Sequence, residues 1–154
     1  MSDVVNKAAW FAEKMHKGQL YDGQDYFLRH LKGVVAVMTD ELGVTDPETI
    51  AIGYLHDVVE DTEVTLSVIE KLFGKVVADG VGLMTNHSSS YDVYVKAIKD
   101  SGNEKAIAGK LADATFNYRS CLIAGGKWLK HAPRYLGVIE LLATKEQKKI
   151  LLGR

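Results

Sequence analysis

Residues 54–62 read YLHDVVEDT. Tyr54, Leu55, Val58 and Val59 are apolar, whereas His56, Asp57, Glu60 and Asp61 can ionise or bind a cation. On a helix, side chains four positions apart share a face. His56 is therefore expected to stack with Glu60, and Asp57 with Asp61. The two columns are adjacent, so the four polar groups point into one sector while their apolar neighbours anchor the helix in a core. Three acids this close repel one another unless protons or a cation compensate. A divalent metal is the economical solution, and imidazole with carboxylate suits Mn²⁺, Fe²⁺ or Zn²⁺, with Co²⁺ as a further alternative.

Two adjacent ligands are too few for such an ion, so the others must come from elsewhere in the chain. His30 lies near the start of a helical stretch, YFLRHLKGVV, and Asp113 lies between Ala112 and Ala114 in AIAGKLADATFNYR. A carboxylate in that apolar company needs a partner, because burying an unpaired charge is costly. Taken singly, each has an ordinary reading: a surface His-Asp pair, a helix-terminal histidine, and an aspartate paired with Lys110. Taken together, His30, His56, Asp57 and Asp113 form a two-His, two-Asp site. Water in its open positions would become a nucleophile at neutral pH.

Strand signals are weak in the surrounding sequence, and helical spacing recurs. Val4, Val5, Ala8, Phe11, Ala12 and Met15 make one stripe. GQLYDGQD is expected to be a loop. A helix is expected from about Phe27 to Leu42, with Val34, Val37, Met38 and Leu42 on one face and Gly43 ending it. Asp46-Pro47-Glu48 starts the helix that runs to about Asp61. Thr65 caps the next, which closes on Gly74. KVVADGVGLMT, YDVYVKAIKDSG and NEKAIAGKLADATFNYRS follow, then a break at Gly125-Gly126 and final helices from about Pro133. The expected fold is an all-α bundle of about seven or eight helices forming one domain, 1–154.

Composition narrows the function. Hydrophobic residues make up 47% and charged residues 25% of the 154 residues, ordinary for a globular chain. The 19 basic and 20 acidic residues leave a formal charge of −1, without the basic excess of a nucleic-acid-binding domain. No apolar run approaches the ~20 residues of a membrane span, and MSDVVNKAAWFAEKMHKG lacks the apolar core of a secretory signal. With Cys121 as the single cysteine, no intrachain disulfide can form, and the expectation is a cytoplasmic protein. An apolar stripe could also support a homo-oligomer.

The ordered set His30, His56-Asp57, Asp113 resembles the HD superfamily of metal-dependent phosphohydrolases. The finer text resembles its RelA/SpoT-type alarmone hydrolase branch. YLHDVVEDT is similar to that branch's "LLHDVVEDT", AEKMHKGQ to its "A...H.GQ", and Tyr26 with His30 to "PY..HP". TLSVIEKLFGKVVADGVGLMT and KLADATFNYR resemble "T...I...FG..VA..V..LT" and "KLADRLHNMR". The likeness spans roughly residues 8 to 120 and implies one Mn²⁺ on His30, His56, Asp57 and Asp113. It implies hydrolysis of the 3′-pyrophosphate of the guanine nucleotides ppGpp or pppGpp, with Glu60 and Asp61 acting on the water and Asn117 reaching the sugar or the ligands.

The likeness lapses in the loop LYDGQD, which has no Lys or Arg where the branch carries phosphate-binding basic residues. Substrate charge must then be met elsewhere, with Lys17, Arg29, Lys32, Lys110 and Arg119 as candidates. His87, in the loop NHSSS, is a candidate phosphate contact, and Tyr135 a candidate contact to the base. The same metal site would serve another nucleotide, such as NADPH or a deoxynucleotide, or a non-catalytic nucleotide-binding module.

Overall fold

The structure, a computed structural model, describes residues 2–153. Met1 and Arg154, the two ends of the expected 1–154 domain, lie outside the described residues. Ser2 accepts the Val5 N–H and opens α1, Asp3–Met15. Val5, Ala8 and Ala12 on its stripe are buried, and Val4, Phe11 and Met15 pack against the same core.

GQLYDGQD is not a simple loop. It holds a short antiparallel hairpin, β1 (Leu20–Tyr21) against β2 (Gln24–Asp25). Its turn residues Asp22 (φ 53°) and Gly23 (φ 76°) both have positive φ, the backbone that suits a two-residue hairpin turn. Strands this short carry no readable periodicity.

The helix expected from Phe27 is present as three abutting pieces. A π-helical turn, Phe27–Leu31, leads into α2 (Lys32–Ala36) and a second π-helical turn, Val37–Glu41. Val34, Val37 and Met38 are buried, and Gly43 (φ 68°) follows the helix. The first π turn carries His30, and such turns are frequent at functional sites.

α3 (Pro47–Leu55) starts on Asp46, whose carboxylate accepts the Thr49 N–H. The helix does not run unbroken to Asp61. His56 ends α3, Asp57 sits at φ −101° and ψ −1°, and α4 (Val58–Asp61) begins afresh. The cause is local: His56 Nδ1 lies 2.7 Å from the Gly53 carbonyl, the acceptor that a continuous α-helix would offer to the N–H of residue 57. The expected columns His56/Glu60 and Asp57/Asp61 of one regular helix are therefore replaced by a kinked turn.

The remaining helices follow their caps. Thr65 opens α5 (Leu66–Phe73), Gly74 separates it from α6 (Lys75–Met84), and Ser90 opens α7 (Tyr91–Ser101). Asn103 opens the long α8 (Glu104–Ala124), followed by a 3₁₀ turn, Gly126–His131, and α9 (Ala132–Leu142). A Thr144–Gln147 capping box opens α10 (Lys145–Leu152). The architecture is all-α apart from the hairpin; the break between α3 and α4 adds a segment without changing the class.

α3 packs on α1, α6 and α8, and its Ala51, Ile52, Tyr54 and Leu55 are all buried. A helix apolar on most sides belongs in the middle of a bundle. α8 runs past α2, α3 and α6 and packs against α9. A Cβ at Gly33 would lie 2.1 Å from Cε2 of Phe116, so glycine allows α2 to close on α8. Gly33→Ala is expected to destabilise the protein by about 1–3 kcal/mol through overpacking, read as a lower urea midpoint. An unchanged midpoint would mean that the Phe116 ring moves aside freely. No helix among the described residues is long and apolar enough to cross a membrane.

Candidate metal centre

The π turn delivers His30, the kink between α3 and α4 delivers His56 and Asp57, and the middle of α8 delivers Asp113. One ligand atom from each lies within 4.8 Å of all the others. His30 Nε2 is 3.1 Å from Asp113 Oδ1 and 3.5 Å from Asp57 Oδ2. His56 Nε2 is 3.0 Å from Asp57 Oδ2 and 3.4 Å from Asp113 Oδ1. Around an ion with bonds of about 2.1 Å, neighbouring ligands stand about 3.0 Å apart at right angles and about 3.4 Å apart in a tetrahedron. The four side chains are thus spaced as ligands of one divalent ion.

The tautomer of His56 fits the same purpose. A carbonyl only accepts, so the His56 Nδ1–H donates to Gly53 O at 2.7 Å. In the neutral ring that leaves the lone pair on Nε2, which is buried beside Asp57 and Asp113 and is free for a metal that displaces any proton held there. A ring fixed through one nitrogen with the other bare is the usual state of a ligating histidine.

A second layer holds the carboxylates. The Tyr26 hydroxyl donates to Asp57 Oδ2. Asp113 accepts from Lys110 Nζ at 2.9 Å and from Asn117 Nδ2 at 3.2 Å. The Asn117 carbonyl accepts from the Tyr21 hydroxyl at 2.7 Å, and the Tyr21 ring stacks on His30 with centroids 4.7 Å apart. The hairpin therefore lays Tyr21 over one candidate ligand while steadying the residue that steadies another. Behind Tyr26, the buried His16 donates to Gln19, and Gln19 donates to the Asp61 carbonyl.

Burial alone would raise the Asp57 carboxyl, but the facing His56 and His30 hold it well below the usual range. Burial would likewise raise Asp113, and Lys110 and the two imidazoles hold it down. Burial pushes His30 and His56 down, yet the two aspartates drive both above their ordinary value. Lys110 is also buried and stays charged against that pressure because of Asp113. Its Nζ sits 5.2 Å from the ring centres of both Tyr91 and Tyr94. A site that pulls this strongly on protons offers the same pull to a divalent cation.

Above the four side chains is a cavity of about 350 Å³. Glu60, Lys110, Asn117 and Tyr135 line it, together with Asn86 and Tyr91. Glu60 accepts the Asn86 N–H. Burial raises its carboxyl, and Asp57 and Asp61 add to the rise against the Asn86 bond. Burial likewise pushes the Tyr135 phenol up to about 12. Asp61, which closes α4, and His87 do not line this cavity. Among the expected cations only Lys110 lines it. Arg29 lies over the rings of Phe116 and Tyr21, Arg119 is paired with Glu41, and Lys17 and Lys32 are exposed. Sequence reasoning quoted Tyr26 only as part of the motif it shares with His30, and within the NHSSSYDVY segment it gave a role to His87 but none to Asn86, Tyr91 or Tyr94.

The chain belongs to the HD domain family, whose profile matches residues 8–124. Among its relatives, the Homo sapiens guanosine-3′,5′-bis(diphosphate) 3′-pyrophosphohydrolase MESH1 is 32% identical over 135 residues, covering 81% of this chain and 74% of the relative. The Xenopus tropicalis MESH1 is 31% identical, covering 75% of this chain and 68% of the relative. A GTP pyrophosphokinase of Myxococcus xanthus is 32% identical over 131 residues, but the chain spans only 17% of that longer protein. The solved structure of a metazoan ortholog of SpoT, described as hydrolysing ppGpp, superposes with a TM-score of 0.70 at 22% identity. It covers 97% of this chain and 96% of its own, and so shares the fold.

Proposed function

We propose that the chain is a single-domain, divalent-metal-dependent hydrolase that removes the 3′-pyrophosphate of ppGpp or pppGpp. The products are pyrophosphate and GDP or GTP. The observation that carries this reading is the convergence of ligand atoms from His30, His56, Asp57 and Asp113 within 4.8 Å, below a cavity open to a nucleotide. The names of the MESH1 relatives, which this chain matches over 68% and 74% of their length, support the substrate class.

When bound, a divalent ion, with Mn²⁺ as the expected one, supplies a Lewis acid for a phosphoryl oxygen and lowers the pKa of water. His30, His56, Asp57 and Asp113 would hold it, and the aspartates would keep the site anionic. Glu60, with its carboxyl raised by burial, orients the attacking water and accepts its proton. The water oxygen bonds to the phosphorus next to the ribose, the P–O3′ bond breaks, and the 3′ oxygen is protonated as pyrophosphate leaves. Asp61 contributes its negative field from the end of α4. Lys110 balances Asp113, Asn117 faces the sugar, and Tyr135 packs on the nucleoside. His87, on the exposed NHSSS loop, would meet phosphate only at the rim.

The test is product analysis with purified protein and Mn²⁺. The reading expects pyrophosphate and GDP from ppGpp, loss of both in EDTA, and recovery on adding Mn²⁺. Turnover of NADPH or dGTP in place of ppGpp would keep the metal chemistry and overturn the substrate. No turnover of any of them by the metal-loaded protein would favour a binding module.

A further inference from the structure

A second cavity of about 390 Å³ lies beside the first. The two share Tyr21, Asn117 and Tyr135, so one ligand can straddle them. The only carboxylate lining the second is Asp22, on the hairpin. Its far wall is the 3₁₀ turn and the start of α9, which contribute Trp128, His131 and Arg134. The Arg134 guanidinium lies 5.0 Å above the Tyr91 ring, and Tyr91 lines the metal cavity. Arg134 therefore stands at the junction of the two spaces, with an acid at one end of the outer cavity and a cation at the other.

The proposed substrate ppGpp carries a diphosphate at each end of its ribose, and pppGpp adds one more phosphate at the 5′ end. One end belongs over the ligand set, so the other needs a cation of its own. Lys110 does not serve, because it is buried and holds Asp113 at 2.9 Å. We infer that Arg134, assisted by His131, binds the 5′-diphosphate, and that the outer cavity thereby selects nucleotides phosphorylated at both ends of the ribose. This rests on the reading that a doubly phosphorylated guanosine is the substrate. Guanidinium matches phosphate oxygens in a planar, bidentate way, and the like charge of Asp22 turns a phosphate away from the hairpin end.

The inference is tested by binding, without turnover. Guanosine 3′-monophosphate and guanosine 3′-monophosphate 5′-diphosphate both present a 3′ phosphate and differ only at the 5′ end. Their Kd values would be measured by calorimetry on the Mn²⁺-loaded protein and on Arg134→Gln, an exposed position. In the wild type the 5′-diphosphate should tighten binding. In Arg134→Gln its Kd should rise about 10–100-fold, the range of charge-assisted hydrogen bonds, while the 3′-monophosphate is unaffected. Equal binding of both probes by the wild type, an unchanged Kd in the variant, or an equal loss for both probes would each overturn the assignment. Failure of the substrate reading has a different sign: no pyrophosphate released from ppGpp by the wild type.

Discussion

Asp113→Ala is expected to abolish tight Mn²⁺ binding and to destabilise the metal-free protein by about 3–5 kcal/mol, the usual cost of removing one partner of a buried ion pair. Both effects follow from its position in the middle of α8. Its Oδ1 faces the two imidazoles, and its Oδ2 accepts from Lys110 Nζ at 2.9 Å. The side chains of Lys110 and Asp113 are only 7% and 8% exposed. Without the carboxylate, an ammonium is stranded between Tyr91 and Tyr94. Lys110→Met/Asp113→Ala removes that stranded charge and should recover much of the stability but none of the metal affinity. Urea unfolding in EDTA and calorimetric Mn²⁺ titration of the single and double variants separate the two roles. If Asp113→Ala unfolded like the wild type, Lys110 would have to find water or another acid in the free protein. If it still bound Mn²⁺ tightly, the four-ligand assignment would be wrong.

The history of Asp113 also shows what a sequence can say. An aspartate between two alanines on a helix is costly unless paired, so burial with a partner was legible from residue type and neighbours alone. The structure brings it together with the other three residues singled out with it, although the geometry at His56 was not foreseen. Helical periodicity placed His56 above Glu60 on a regular helix. The competing signal was a side chain, the His56 imidazole, which bonds to Gly53 O and breaks the helix there. Apolar spacing does not encode that choice. Helix starts were legible where a short polar side chain can satisfy a free N–H, as at Asp46 and Thr65. The hairpin was not, because two-residue strands have no period. Arg134 escaped notice because nothing local marks it: its significance comes from α9 folding back beside α8 to bring it over Tyr91.

Glu60→Gln is expected to lower kcat by about 10²–10⁴-fold, the scale of losing a general base, while leaving Mn²⁺ affinity near that of the wild type. Glutamine is the informative replacement. Its Oε1 can still accept the Asn86 N–H, so the loop after α6 stays docked, whereas alanine would remove chemistry and contact together. The amide has the shape of the carboxylate and cannot take a proton from water. Glu60 lies outside the converging ligand set, so metal binding should not depend on it. Asp61 supplies the contrast. It is as exposed as Glu60 but does not line the cavity, and it is tied to the rest of the fold through its backbone carbonyl and Gln19. Asp61→Asn should therefore cost less turnover than Glu60→Gln. Single-turnover rates with ppGpp, together with Mn²⁺ titrations of both variants, decide the matter. Wild-type rates in Glu60→Gln would remove Glu60 from proton transfer, and a larger loss in Asp61→Asn would move that role one residue along the kinked turn. A Glu60→Gln protein that bound Mn²⁺ much more weakly would make Glu60 part of the metal's support, and the proton would then have to leave by another group.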